Sequence, residues 1–207
     1  MDSVSWSPDG KLIAAAFMSD EVVNIWDAHT GELAGVLPSR YTTYLAAWSP
    51  DGRFIACSGT RWIEVWDAST YRLISTLEHG DSVYSLAWSP DGRLLASGGE
   101  DMLVKVWDPV EGRLIRTLEG ATFTVAELAW SPDGKLLAGG TAGWNSLIWD
   151  VSSGALIRTF RQKRVIGPWS PDGKLLPVYD RDSHDFALLD PATGHIVRGF
   201  PHSRVSR

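Results

Sequence analysis

The chain has 207 residues, 44% of them hydrophobic and 21% charged, with a formal net charge of −6; this is ordinary globular composition, with enough chain for one substantial core. No apolar run of about 18 residues is present to span a membrane as a helix, and Met1 runs directly into patterned sequence, so no signal peptide is expected. The single Cys57 excludes an internal disulfide, and the cytoplasm is the expected compartment.

The first element leads into Trp6-Ser7-Pro8-Asp9-Gly10, and this five-residue string begins again at Trp48, Trp88, Trp130 and Trp169, at spacings of 42, 40, 42 and 39. A second marker keeps step with it: Trp26-Asp27, Trp66-Asp67, Trp107-Asp108 and Trp149-Asp150, with Leu189-Asp190 in the fifth copy. Two markers in phase at a period near 41 signal a repeat architecture, in which each unit buries its apolar face against its neighbours. Nine of the eleven Trp fall on these markers, which makes them packing residues before anything else.

Copy 3 shows the pattern within one repeat. Val83 to Trp88 reads as a strand with Tyr84, Leu86 and Trp88 on one face. Ser89-Pro90-Asp91-Gly92 fits a type I turn, because Pro presets φ at the second position and Gly is favoured at the fourth. A second strand, Leu94 to Ser97, breaks at Gly98-Gly99-Glu100-Asp101, and Leu103 to Trp107 forms a third. Asp108 opens another turn, with Gly112 at a position needing positive φ, and Leu114 to Leu118 completes a fourth strand. One antiparallel four-stranded meander per repeat follows. Five such sheets, stacked face to face in a radial array, bury both faces of each. Copy 5 is the weakest: Leu189 replaces Trp, Pro168 lies beside its first strand, and Pro177 removes a ladder donor from its second.

With its turn, Gly-Gly break and terminal Trp-Asp, Ser82 to Asp108 resembles a repeat of the WD-repeat β-propeller family, and the resemblance covers the whole chain. Its string form is similar to that of bacterial members. In the family a His, a Ser or Thr, an Asp and the Trp form a hydrogen-bonded network. Here that implies His79, Ser97, Asp101 and Trp107. Copy 1 keeps Asp20 and Trp26 but has Ala15 at the Ser position; copy 2 has Cys57, copy 4 Gly139 and copy 5 Val178. None of these four has a His nine residues before its turn-opening Trp.

His79, Ser97 and Asp101 are also the residue types of a hydrolase triad. A nucleophile needs access to a cleft and an oxyanion hole, so a Ser inside a strand reads as structural. The other His show no metal-ligand spacing, and the cluster Asp180, Asp182, His184, Asp185 lacks the ligand alternation of a Ca²⁺ loop. No metal and no cofactor is expected.

Trp62 and Trp144 fall outside the markers, in the connection between second and third strands, on the side that the family uses for binding. They read either as interface anchors or as local packing, with Tyr44, Tyr84, Arg61 and Glu100 near the same face. The basic run Arg158, Arg161, Lys163, Arg164 reads as solvated or intramolecular before it reads as a contact for acidic protein or nucleic acid.

The expectation is an all-β propeller of five WD-type, four-stranded antiparallel blades in one domain, 1–207, with blades near 1–39, 40–79, 80–120, 121–162 and 163–207. Trp26, Asp27, Trp66, Asp67, Trp149 and Asp150 are its structural Trp/Asp positions. Each blade is contiguous, so no terminal strand swap is available, and blade 5 is expected to dock on blade 1 by side-chain packing. Charge would help, since residues 1–154 carry net −10 and residues 155–207 net +4. Otherwise the end faces would drive self-association. The expected function is a non-catalytic protein-interaction scaffold. The alternatives are a segment of a larger sensory or regulatory protein, or a hydrolase or lyase with a central-channel site.

Overall fold

A computed structural model describes residues 3–17 and 21–201; Asp20 lies outside them. The described residues form twenty strands in five four-stranded antiparallel sheets. Blade 1 is β1 (Ser3–Trp6), β2 (Leu12–Ala16), β3 (Val22–Asp27) and β4 (Leu33–Pro38). Blade 2 is β5 (Thr43–Trp48), β6 (Phe54–Gly59), β7 (Trp62–Asp67) and β8 (Leu73–Glu78). Blade 3 is β9 (Val83–Trp88), β10 (Leu95–Gly99), β11 (Val104–Asp108) and β12 (Arg113–Leu118). Blade 4 is β13 (Val125–Trp130), β14 (Leu136–Thr141), β15 (Ser146–Asp150) and β16 (Leu156–Phe160). Blade 5 is β17 (Lys163–Val165), β18 (Leu176–Asp180), β19 (Asp185–Leu189) and β20 (Ile196–Phe200). Consecutive strands pair in each blade.

The repeated string dictates the first hairpin. In blade 1 the Gly10 amide donates to the Ser7 carbonyl at 2.9 Å, which closes the turn. The Ser7 hydroxyl donates to Asp9 at 2.7 Å and accepts from the Leu12 amide at 2.9 Å, while Asp9 also accepts from the Lys11 amide. The same set recurs around Ser49, Ser89, Ser131 and Ser170. The glycine stands at φ 71° or 73° in all five copies, in the left-handed region where a Cβ is disfavoured. The Asp of Trp-Asp makes the second tight turn. Asp67 accepts from the Ser69 hydroxyl and the Thr70 amide, and these bonds hold its carboxyl at about 2. Asp150 is held likewise by Ser152 and Ser153.

The core lies between blades. One apolar cluster joins blade 1 to blade 2 through Val23, Leu37, Trp48 and Ile55. Others join blade 2 to 3 through Ile63, Leu77 and Leu95, blade 3 to 4 through Val104, Leu118 and Trp130, and blade 4 to 5 through Ile148, Phe160 and Trp169. Among the described residues no such cluster joins blade 5 to blade 1, so the expected docking of the two ends is not what the structure shows. The uncovered end is visible in Trp6, which is 57% exposed where Trp48, Trp130 and Trp169 are buried: with no terminal strand among the described residues to pair across the gap, only side-chain packing could join the ends. Among the described residues the array is an open succession of five blades with four apolar junctions.

Candidate interaction face and buried network

Blade 3 assembles the residues of the family network. His79, fully buried, lies with Nδ1 2.9 Å from Ser97 Oγ and Nε2 3.1 Å from Asp101 Oδ1. The Trp107 indole donates to the same Ser97 oxygen at 2.8 Å. A neutral His79 protonated on Nε2 satisfies every partner: it donates to Asp101, accepts from the Ser97 hydroxyl, and Ser97 accepts from Trp107. Burial pushes the His79 pKa below its ordinary value, against the pull of Asp101. Asp101 is held below the usual carboxylate range: burial opposes this, but His79, the Leu103 amide and Lys105 outweigh it. Lys105 bridges the two, donating to Asp101 at 3.1 Å and to the His79 carbonyl. Ser97 has no exposed surface, so a substrate does not reach it in this arrangement.

The other copies solve the same position differently. In blade 4 the Trp149 indole donates to the Glu119 carbonyl at 2.8 Å, and a Cβ on Gly139 would come within 2.8 Å of its ring. In blade 2 Cys57 is buried and its thiol is pushed up by burial, first, and by Glu64. Trp66 has no acceptor for its indole N–H within hydrogen-bond reach there.

The network anchors the turn that carries the first candidate Trp. The amides of His79 and Gly80 donate to the Arg61 carbonyl, at 2.8 and 3.2 Å. Trp62, half-buried, stacks on Tyr41 with ring centroids 5.5 Å apart and planes 14° from parallel. Beside it Tyr44 bonds Thr60 at 3.1 Å and stacks on Tyr84 of the next blade, 6.2 Å away and 7° from parallel. Tyr84 is exposed and donates to Glu100 at 3.4 Å; Arg61 pairs with Glu78 at 3.4 Å, both in solvent. One end of blades 2 and 3 thus carries an aromatic strip, Tyr41, Trp62, Tyr44 and Tyr84, edged by Arg61 and Glu100. Tyr41 completes this strip and is not among the residues singled out from sequence: it precedes β5 and its stacking partner Trp62 lies in β7, so no local pattern marks it.

Trp144 belongs elsewhere. It sits at φ 62°, a left-handed conformation uncommon for a bulky residue, and packs against Tyr179 of blade 5 at 5.5 Å. The guanidinium groups of Arg164 and Arg181 lie over its ring at 5.9 and 5.6 Å. It fills the seam between blades 4 and 5. The basic run is divided: Lys163 pairs with Asp180 and Asp182, Arg158 donates to the Thr193 carbonyl, and Arg161 is exposed. Lys163 therefore places positive charge among the carboxylates near His184.

The turn-opening Trp residues do more than pack. Trp88, Trp130 and Trp169 each donate to a carbonyl of the preceding blade, on Ala47, Ala87 and Ala129, at 2.9–3.0 Å. The sequence pattern described as "WD domain, G-beta repeat" matches residues 2–27, 39–67, 71–108 and 112–150, more than half the chain. This chain belongs to the WD-repeat family. The matched stretches end at Asp150, while the structure carries the WD strand order on through blade 5. The chain is also 36% identical over 59 residues to "WD repeat-containing protein AAC3" of Dictyostelium discoideum. That alignment covers 28% of the chain and 12% of the relative. WD repeats in general serve as protein-interaction scaffolds.

Proposed function

We propose that this WD-repeat chain is a non-catalytic scaffold that binds a protein partner through the aromatic strip of blades 2 and 3. The observation that carries this is the Tyr44–Tyr84 stack, which bridges two blades and leaves Tyr84 exposed. Stiff aromatic side chains that already stack lose little freedom on binding, and Tyr and Trp are the residue types that dominate hot spots. The hydrogen bonds from His79 and Gly80 to Arg61 hold the Trp62 turn against blade 3, so the strip is pre-organised. Glu100 and the Arg61–Glu78 pair supply a polar rim. The test is Trp62→Ser with Tyr84→Ser. The double variant is expected to keep the parent melting transition and to lose binding, measured by titration, of a partner first identified by photo-cross-linking from position 84 of the parent chain. Retained binding of that partner at wild-type strength would defeat this reading, and a collapsed melting transition would show that the pair packs within the blades.

A further inference from the structure

All four junctions between blades are built alike. The later blade brings its turn-opening Trp, and the earlier blade lays the apolar face of its middle and outer strands against it. Blade 1 carries the same Trp, and among the described residues no blade packs on that side. Pairing register puts Val4 and Trp6 of β1 on one face with Ile13 of β2 and Trp26 of β3. Trp26 is 36% exposed, where Trp66, Trp107 and Trp149 are buried. Blade 5 shows the complementary surface. Tyr179 of β18, Phe186 of β19 and Phe200 of β20 share a face with Pro177 and Leu188. Phe186 and Phe200 are 49% and 47% exposed, whereas Val23 and Leu37, which hold those positions in blade 1, are wholly buried next to Trp48.

We infer that the blade-1 end of one copy docks on the blade-5 end of a second copy, head to tail. Neither end suits its own kind. Two blade-1 faces would bring indole donors together without the inner-strand carbonyl that accepts at three of the junctions. A blade-1 face on a blade-5 face repeats the junction the chain already makes four times, so the contact is heterologous. Charge favours the same pairing: residues 1–37 hold six acids and one Lys, while Arg198 lies on the blade-5 face beside Leu188. Two apolar ends of this kind on one chain are the sort of patch that marks an interaction site. The inference does not depend on the aromatic strip of blades 2 and 3, which uses other residues.

Sedimentation velocity on the full chain, from about 1 to 100 μM, tests it. Wild type is expected to grow in mass with concentration. Trp6→Glu, and separately Phe186→Glu with Phe200→Glu, are each expected to sediment at the 22.7 kDa of one chain, with the dissociation constant raised at least about 30-fold, as for loss of a hot-spot aromatic. An equimolar mixture of the two variants should form a dimer and stop there, because each dimer has only blocked ends. If Trp6→Glu disturbs the melting transition, Val4→Glu, at 64% exposure, takes its place. A wild type that stays monomeric overturns the inference, whether blade 5 folds back on blade 1 or another protein covers the ends. Self-association of the Trp6 variant alone, or a mixture that stays monomeric, overturns it equally.

Discussion

Ser97 and Gly139 occupy the same step of the repeat, and each fixes the Trp beneath it by a different route. Ser97 offers an oxygen to the Trp107 indole, whereas Gly139 offers space, and the Trp149 indole turns to the Glu119 carbonyl. Gly139→Ala would press a methyl group to 2.8 Å from a fully buried ring whose position is pinned by that bond. Overpacking of this kind costs about 1–3 kcal/mol, so calorimetry should show a lower melting temperature; an unchanged value would mean that the ring has room to shift. His79 makes a second prediction. Burial lowers its pKa below the ordinary value of about 6.5. Asp101 and Asp81 favour the charged form, while Lys105 opposes it. The unfolded chain therefore binds a proton at a higher pH than the folded one, and stability rises with pH between those two values. This contribution is fully present above about 6.5 and is lost as pH falls below it. The melting temperature should drop from pH 7 toward pH 5.5, and His79→Gln should be less stable at pH 7 but flatter across this range. Parallel pH profiles for the two proteins would show that His79 does not carry the dependence.

Blades 3 and 5 have the same strand order and very different support. Blade 3 has its network, an inner strand of six residues, and neighbours on both sides. Blade 5 has an inner strand of three residues, Pro177 in its second strand, and an outer strand exposed along its whole length. Amide exchange should thus be slower over 95–108 than over 176–189, since protection follows buried contacts and paired donors; the reverse order would refute the link between network and rigidity. The weakness of blade 5 was legible in its prolines and in Leu189, and the hairpins were legible because Ser-Pro-Asp-Gly is local chemistry. Strand count and network residues followed from the period and from family likeness. The blade-to-blade indole bonds were not legible, because the acceptor for Trp88, the Ala47 carbonyl 41 residues back, depends on how two sheets stack. Trp144 was ambiguous for a similar reason: its partners Tyr179, Arg164 and Arg181 lie in another blade, and nothing local to residues 141–146 announces them.

Charge and the cost of leaving an apolar blade face exposed point to a meeting of the first and last blades, yet neither measures curvature. Whether five sheets close depends on the angle between each pair, which large Trp side chains set from inside the junctions. An open succession has a mechanical consequence that a closed ring lacks. In a ring every blade keeps one neighbour when a single junction is cut; in an open array a terminal blade loses its only one. Stability in such quasi-one-dimensional molecules is close to a sum of unit and nearest-neighbour terms. Trp169 is buried between blades 4 and 5, and its N–H is bonded to the Ala129 carbonyl at 3.0 Å. Trp169→Ala removes that bond and the largest side chain of the apolar cluster at this junction, at a cost of about 3–5 kcal/mol, and the loss falls on blade 5 alone. Urea unfolding of the variant should therefore split, with an early step confined to residues 163–200 and a later one resembling the parent. Limited proteolysis before the later step should cut in 163–200 and spare blades 1–4. A single cooperative transition, shifted as a whole to lower urea, would mean that blade 5 is held from a second side and that the ends meet after all.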